Sequence, residues 1–117
     1  MRKILALSGI IFIVMGAFLS PAATHFSVSG LEIPMIEAVS PVTRAHHVGS
    51  SEVATYQTQA SFAEAVRFYS SFFSQNNFMV LGNEEAGEYN VAVKKEDVMF
   101  TMRIYRNQGK IYVQCIW

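Results

Sequence analysis

The sequence predicts an α+β domain: one amphipathic helix packed on a curved antiparallel sheet, in the order β-β-α-β-β-β-β, behind an N-terminal signal or anchor helix. Three observations predict it. Ser61 and Glu64 form a capping box that opens a stretch with apolar residues at helical spacing. From Tyr89 to Trp117, apolar and polar residues alternate with period two, broken by two turn signals. Ahead of both, the sixteen residues from Ile4 to Leu19 carry no charge.

Arg2 and Lys3 precede that apolar run, and Ser20-Pro21-Ala22-Ala23 follows it. Cleavage after Ala22 puts the small residues Ser20 and Ala22 where a signal peptidase reads them. Residues 1–22 are therefore expected to direct export and to be removed. The rival reading is an uncleaved anchor, because a span needs ~20 apolar residues and no Asp, Glu, Lys or Arg occurs from Ile4 to Leu31. A buried core helix is a third reading, against which stands the missing polar face. The expected location is the periplasm or the exterior, with the inner membrane as the alternative. The only cysteine is Cys115, so lipid attachment after the leader is excluded. Arg2-Lys3 is not a twin-arginine pair, and the Gly-Phe junction of type IV pilins is missing.

Behind the leader, residues 23–34 read as a linker and residues 35–117 as a single domain. Without Arg2 and Lys3, seven Lys and Arg stand against nine Asp and Glu. A slightly acidic domain without a basic run is a poor nucleic-acid binder. One cysteine means no internal disulfide.

In the expected linker, Ser27, Ser29 and Gly30 loosen the chain, while Phe26, Val28, Leu31 and Ile33 can dock part of it. Val42 to Val48 is a weak strand candidate, and Gly49-Ser50-Ser51 is a turn signal. Glu52 to Thr58 is β-branched and aromatic, hence a strand. The helix runs from Phe62 to about Gln75. At ~100° per residue, Phe62, Ala65, Val66, Phe68, Tyr69, Phe72 and Phe73 share one side, and Asn76-Asn77 can supply a left-handed stop. Phe78 to Leu81 is a short strand, and Gly82 to Gly87 a polar, acidic loop. In the meander, Tyr89, Val91 and Val93 share a face, as do Val98, Phe100, Met102 and Ile104, and Ile111, Val113, Cys115 and Trp117. Lys95-Glu96-Asp97 is a tight connection, and Asn107-Gln108-Gly109-Lys110 suits a type I turn.

Tyr56-Gln57-Thr58, Ser61, Glu64, Phe68-Tyr69 and Asn77-Phe78 together resemble a pattern of small exported bacterial α+β domains. In these, a Tyr-x-Thr strand leads into a capped Phe-Tyr helix and then a strand meander. The resemblance covers residues 53–117 and departs at the hinge, where Asn76-Asn77 replaces the usual Gly. The order is also similar to the helix-grip domains of envelope-assembly lipoproteins, whose lipid-bearing Cys this chain lacks. Such a resemblance implies a fold and a compartment; most of those domains have no assigned activity.

Candidate chemistry is sparse. His46 and His47 are adjacent, so on a strand they point to opposite faces, and a metal site would need Glu52, Glu37 or His25 to come close. Exposed polar residues are the default reading. Cys115 alternates with Val113 and Trp117, which reads as a buried, inert thiol. Glu84, Glu85 and Glu88 match no calcium-loop spacing and read as a solvated loop. No catalytic residue, metal site or cofactor is expected. Two surfaces are candidates for a ligand or partner. Phe68, Tyr69, Phe72 and Met99 are expected to line a groove between helix and sheet. Arg103, Tyr105, Tyr112 and Gln114 are expected to form an exposed aromatic and cationic sheet face suited to protein contacts.

Three functions follow as expectations. The first is a non-enzymatic interaction or accessory domain of the bacterial cell envelope with an envelope protein as partner. The second is a carrier of a small apolar ligand in a closed helix–sheet groove. The third is a small hydrolase-like enzyme, which would need His46 or His47 beside a carboxylate in a cleft. Nucleic acid is not an expected partner, and the membrane is one only through residues 4–23 if the leader is retained.

Overall fold

A computed structural model of the protein describes residues 24–46, 49, 51–85 and 87–117. The expected export segment lies outside these residues. Among the described residues no helix is long and apolar enough to cross a membrane.

Among the described residues the fold is α+β, with one helix on antiparallel sheets. Its elements are β1 (His25–Val28), β2 (Leu31–Pro34), β3 (Thr43–His46), β4 (Glu52–Thr58), α1 (Phe62–Gln75), β5 (Met79–Glu85), β6 (Glu88–Lys95), β7 (Val98–Asn107) and β8 (Lys110–Ile116). Strands β3 to β8 form one sheet in the order β3-β4-β8-β7-β6-β5, and β1 and β2 form a separate hairpin.

The residues expected as a linker are part of the core. Phe26 pairs with Ile33 and Val28 with Leu31, and Val28 and Ile33 are fully buried. The turn is Ser29-Gly30, both in the left-handed region with φ 50° and 89°. Such a two-residue turn matches the twist of its strands and favours glycine. The residues read as loosening the chain are therefore those that close the hairpin.

The hairpin is needed because the sheet is wide. Six strands spaced ~4.8 Å apart span ~24 Å, and a helix with its side chains covers ~10–12 Å. Helix α1 packs over β5 and β7. The hairpin lies over the other side, with Phe26 edge-on to Tyr56 of β4 at 5.9 Å and the Arg44 guanidinium of β3 donating to Ser27 O at 2.9 Å. Both lie on what we term the inner face. Ala54, Tyr56, Val91, Val93, Phe100, Met102, Ile104, Val113 and Cys115 supply its buried surface.

The capping box is formed. Ser61 Oγ accepts from Glu64 N at 3.1 Å, and Ser61 N donates to Glu64 Oε1 at 2.9 Å. The main-chain N–H of Ser61, then its hydroxyl, holds the Glu64 carboxyl below the usual range. The helix ends at a left-handed Asn77, φ 63°, with Phe78 N donating to Phe73 O at 3.0 Å and the two rings 5.2 Å apart. This is a Schellman stop with its hydrophobic contact, made by Asn in place of Gly.

Two further expectations change, and one is met among the described residues. The acidic loop from Gly82 to Gly87 is strand as far as Glu85, paired with β6. Gly82 permits this: it sits at φ 123°, and a Cβ there would meet Asn90 O at 2.5 Å. The weak strand candidate Val42 to Val48 is strand at Thr43–His46. The turn at Gln108-Gly109 has both residues at positive φ, 53° and 78°, between paired Asn107 and Lys110, so it is a two-residue mirror-type turn and not type I.

Candidate functional site

The helix, the sheet and the hairpin meet at two tyrosines. Ile36 N donates to Tyr56 Oη at 2.9 Å, and Tyr69 Oη donates to Pro34 O at 2.7 Å. The two hydroxyls are hydrogen-bonded to each other. Since Tyr69 spends its proton on Pro34, Tyr56 is the donor between them. Burial raises both phenols above their ordinary value of 10.0. Cys115 lies in the same interior, and burial likewise raises its thiol. The two phenols are buried with their hydroxyls paired, and together with the buried thiol they form a structural hub.

The expected helix–sheet groove is not assembled. Tyr69 is fully buried at the hub, while Phe68 and Phe72 are only half-buried. They line an open cleft of about 660 Å³ between α1 and the hairpin, with Pro34, Ile36 and Arg67. Met99 lies on the opposite side of the sheet, 60% exposed. The alternation that turns Phe100 inward turns Met99 outward. Between helix and sheet, Tyr69, Phe73, Met102 and Ile104 have no exposed surface, so that space is filled.

Arg103, Tyr105, Tyr112 and Gln114 come together on the outer face of the sheet, each half-buried where full exposure was expected. The register sets Arg103 opposite Gln114 and Tyr105 opposite Tyr112. The two tyrosine rings stack at 5.6 Å and 22°, and the Arg103 guanidinium lies over Tyr105 at 4.6 Å. Three neighbours fix that guanidinium: Nε donates to Asn90 Oδ1 at 3.2 Å, Nη1 to Gln114 Oε1 at 3.5 Å and Nη2 to Glu88 Oε1 at 3.3 Å. Asn90 Nδ2 donates to the same Glu88 oxygen at 3.1 Å, and Gln114 Nε2 to Thr55 Oγ1 at 3.2 Å. The network thus ties β4, β8, β7 and β6 together. Asn90, then Arg103, holds the Glu88 carboxyl below the usual range.

Glu88, Asn90 and Thr55 are the members that sequence reading missed. Glu88 was assigned to a loop, and only strand register brings it beside Arg103. The arrangement can present a flat aromatic plate backed by a fixed cation. It contains no nucleophile with an activating base.

At the β3 edge the register sets His46 directly opposite Glu52. His46 is exposed, and His47 lies outside the described residues. No trio of His, Cys, Asp or Glu is gathered for a metal ion among the described residues. Comparisons of the chain with family models, with curated proteins and with solved structures found no match to any of them.

Proposed function

We propose that this chain is a non-enzymatic interaction domain of the bacterial cell envelope that uses the outer face of its sheet as the docking surface. The carrying observation is the Tyr105–Tyr112 stack with Arg103 fixed over it. Large aromatic surface at low conformational entropy, next to an arginine already held in place, is what binding hot spots are built from. The inner face is covered by α1 and the hairpin, whereas among the described residues nothing covers this one. Export supplies the compartment in this reading: the apolar leader sends the domain out, and an envelope protein is its partner.

Capture from envelope extracts with the wild-type protein and with the Tyr105→Ala/Tyr112→Ala variant tests the reading. A partner retained by the first and lost by the second supports it. Equal capture by both, or no specific capture, overturns it. N-terminal sequencing of the protein recovered from cells tests the leader separately: a start at Ala23 means release, and a start at Met1 or Arg2 means anchoring.

A further inference from the structure

The two edges of the six-stranded sheet differ. Edge strands offer unpaired main-chain groups, and proteins shield them by shortness, charge or proline. The β3 edge is short and follows Pro41, with Arg44 on it. The β5 edge is seven residues long, contains no Lys, Arg or Pro, and pairs only with β6 among the described residues. Its first half is apolar on both faces: Met79 is 60%, Val80 38% and Leu81 63% exposed. On the outer face Met79 shares a row with Lys94 and Met99, and Leu81 stands beside Ala92.

We propose that this edge is where a second copy of the chain adds, strand against strand. The β5 sequence is complementary to itself when run antiparallel about Val80. Met79 then faces Leu81 of the second copy and Leu81 faces its Met79, so both apolar corners become one. Val80 meets Val80 on the two-fold axis, and Phe78 faces Gly82, which has no side chain to clash. The acidic end of each β5 runs toward the Lys94-Lys95 end of the other, so like charges do not meet. Odd-numbered residues face odd-numbered ones, which keeps both outer faces on one side. A single patch that matches itself closes as a dimer and does not grow further. This surface is separate from the Tyr105–Tyr112 plate, and either can fail alone.

Sedimentation of the full chain over a concentration series, in mild detergent so that a retained leader stays soluble, reads the self-association. The wild type is expected to be a dimer. Leu81→Lys, at an exposed position, is expected to weaken association roughly tenfold or more, with an unchanged melting midpoint at concentrations low enough that both proteins are monomers. Tyr105→Ala leaves the dimer intact. Val80→Cys is expected to cross-link two copies on mild oxidation, since directly paired strand residues lie within disulfide reach and Cys115 is buried. Lys110→Cys, at the far end of the sheet, is the uncross-linked control. A monomer at every concentration overturns the proposal. A dimer unchanged by Leu81→Lys, or no cross-link through Val80→Cys, overturns it as well.

Discussion

Tyr56 of the sheet and Tyr69 of the helix share a hydrogen bond between their hydroxyls; Tyr56 accepts a second one from Ile36 N, and Tyr69 donates a second one to Pro34 O. Their order predicts unequal losses. Tyr69→Phe leaves both the Pro34 carbonyl and the Tyr56 hydroxyl without their partner. Tyr56→Phe orphans only the Ile36 N–H. Each is expected to cost ~1–3 kcal/mol in urea unfolding, with Tyr69→Phe the larger. The double variant is expected to cost less than the sum, because the pair is coupled.

The same pair sets an alkaline limit. Both phenols are raised above 10.0 by burial, so the folded state keeps protons that the unfolded chain gives up. That stability is intact below the unfolded value and is lost as pH climbs above ~10. Absorbance titration is expected to show Tyr56 and Tyr69 ionising only together with loss of near-ultraviolet dichroism. Reversible ionisation of all five tyrosines in a folded protein would contradict this.

The hairpin is expected to be structural. Ile33→Ala removes a fully buried side chain from between hairpin and sheet. A loss of ~2–5 kcal/mol follows from cavity formation, and a chain beginning at Met35 is expected not to fold. Wild-type unfolding behaviour in either variant would mean that residues 25–34 are an appendage.

Gly82→Ala is expected to loosen β5. Its φ of 123° and the 2.5 Å approach to Asn90 O leave no room for a Cβ. The loss is expected to exceed the ~0.4–1 kcal/mol that the same replacement gains at a compatible site. Hydrogen exchange locates it: amides of β5 and β6 speed up, while those of β4 and β8 keep their protection.

On the outer face the expectation is reversed. Arg103→Ala breaks an ion pair whose side chains are 36% and 46% exposed, so its effect on stability is ~1 kcal/mol or less. Its effect on partner capture is expected to match that of Tyr105→Ala. A large fall in stability without a change in capture would make the network a strut and not a contact surface.

The parts of this fold that sequence made legible are those whose signal is local. The capping box needs only Ser61 and Glu64, and the faces of β6, β7 and β8 follow from alternation. The hairpin was hidden because strands of four residues carry too little alternation, and Ser29-Gly30 reads as slack until its left-handed geometry is known. The site divided in the same way. Arg103, Tyr105, Tyr112 and Gln114 stand on adjacent strands at matching register, so alternation places them together. The placing of Met99 in the helix–sheet groove rests on apolarity alone and runs against its own strand's alternation. Glu88, Asn90 and Thr55 needed the pairing of β4, β6, β7 and β8, which sequence spacing does not encode.

Met35 N donates to Thr24 O at 2.8 Å, which closes the open end of the hairpin at Thr24. The expected cleavage junction, Ala22-Ala23, stands immediately before that bond. A protease needs extended, accessible chain on both sides of the bond it cuts. If the proposed export holds, a peptidase cutting at that junction would work within two residues of a closed main-chain bond, so cleavage ahead of hairpin closure is expected to outrun cleavage after it.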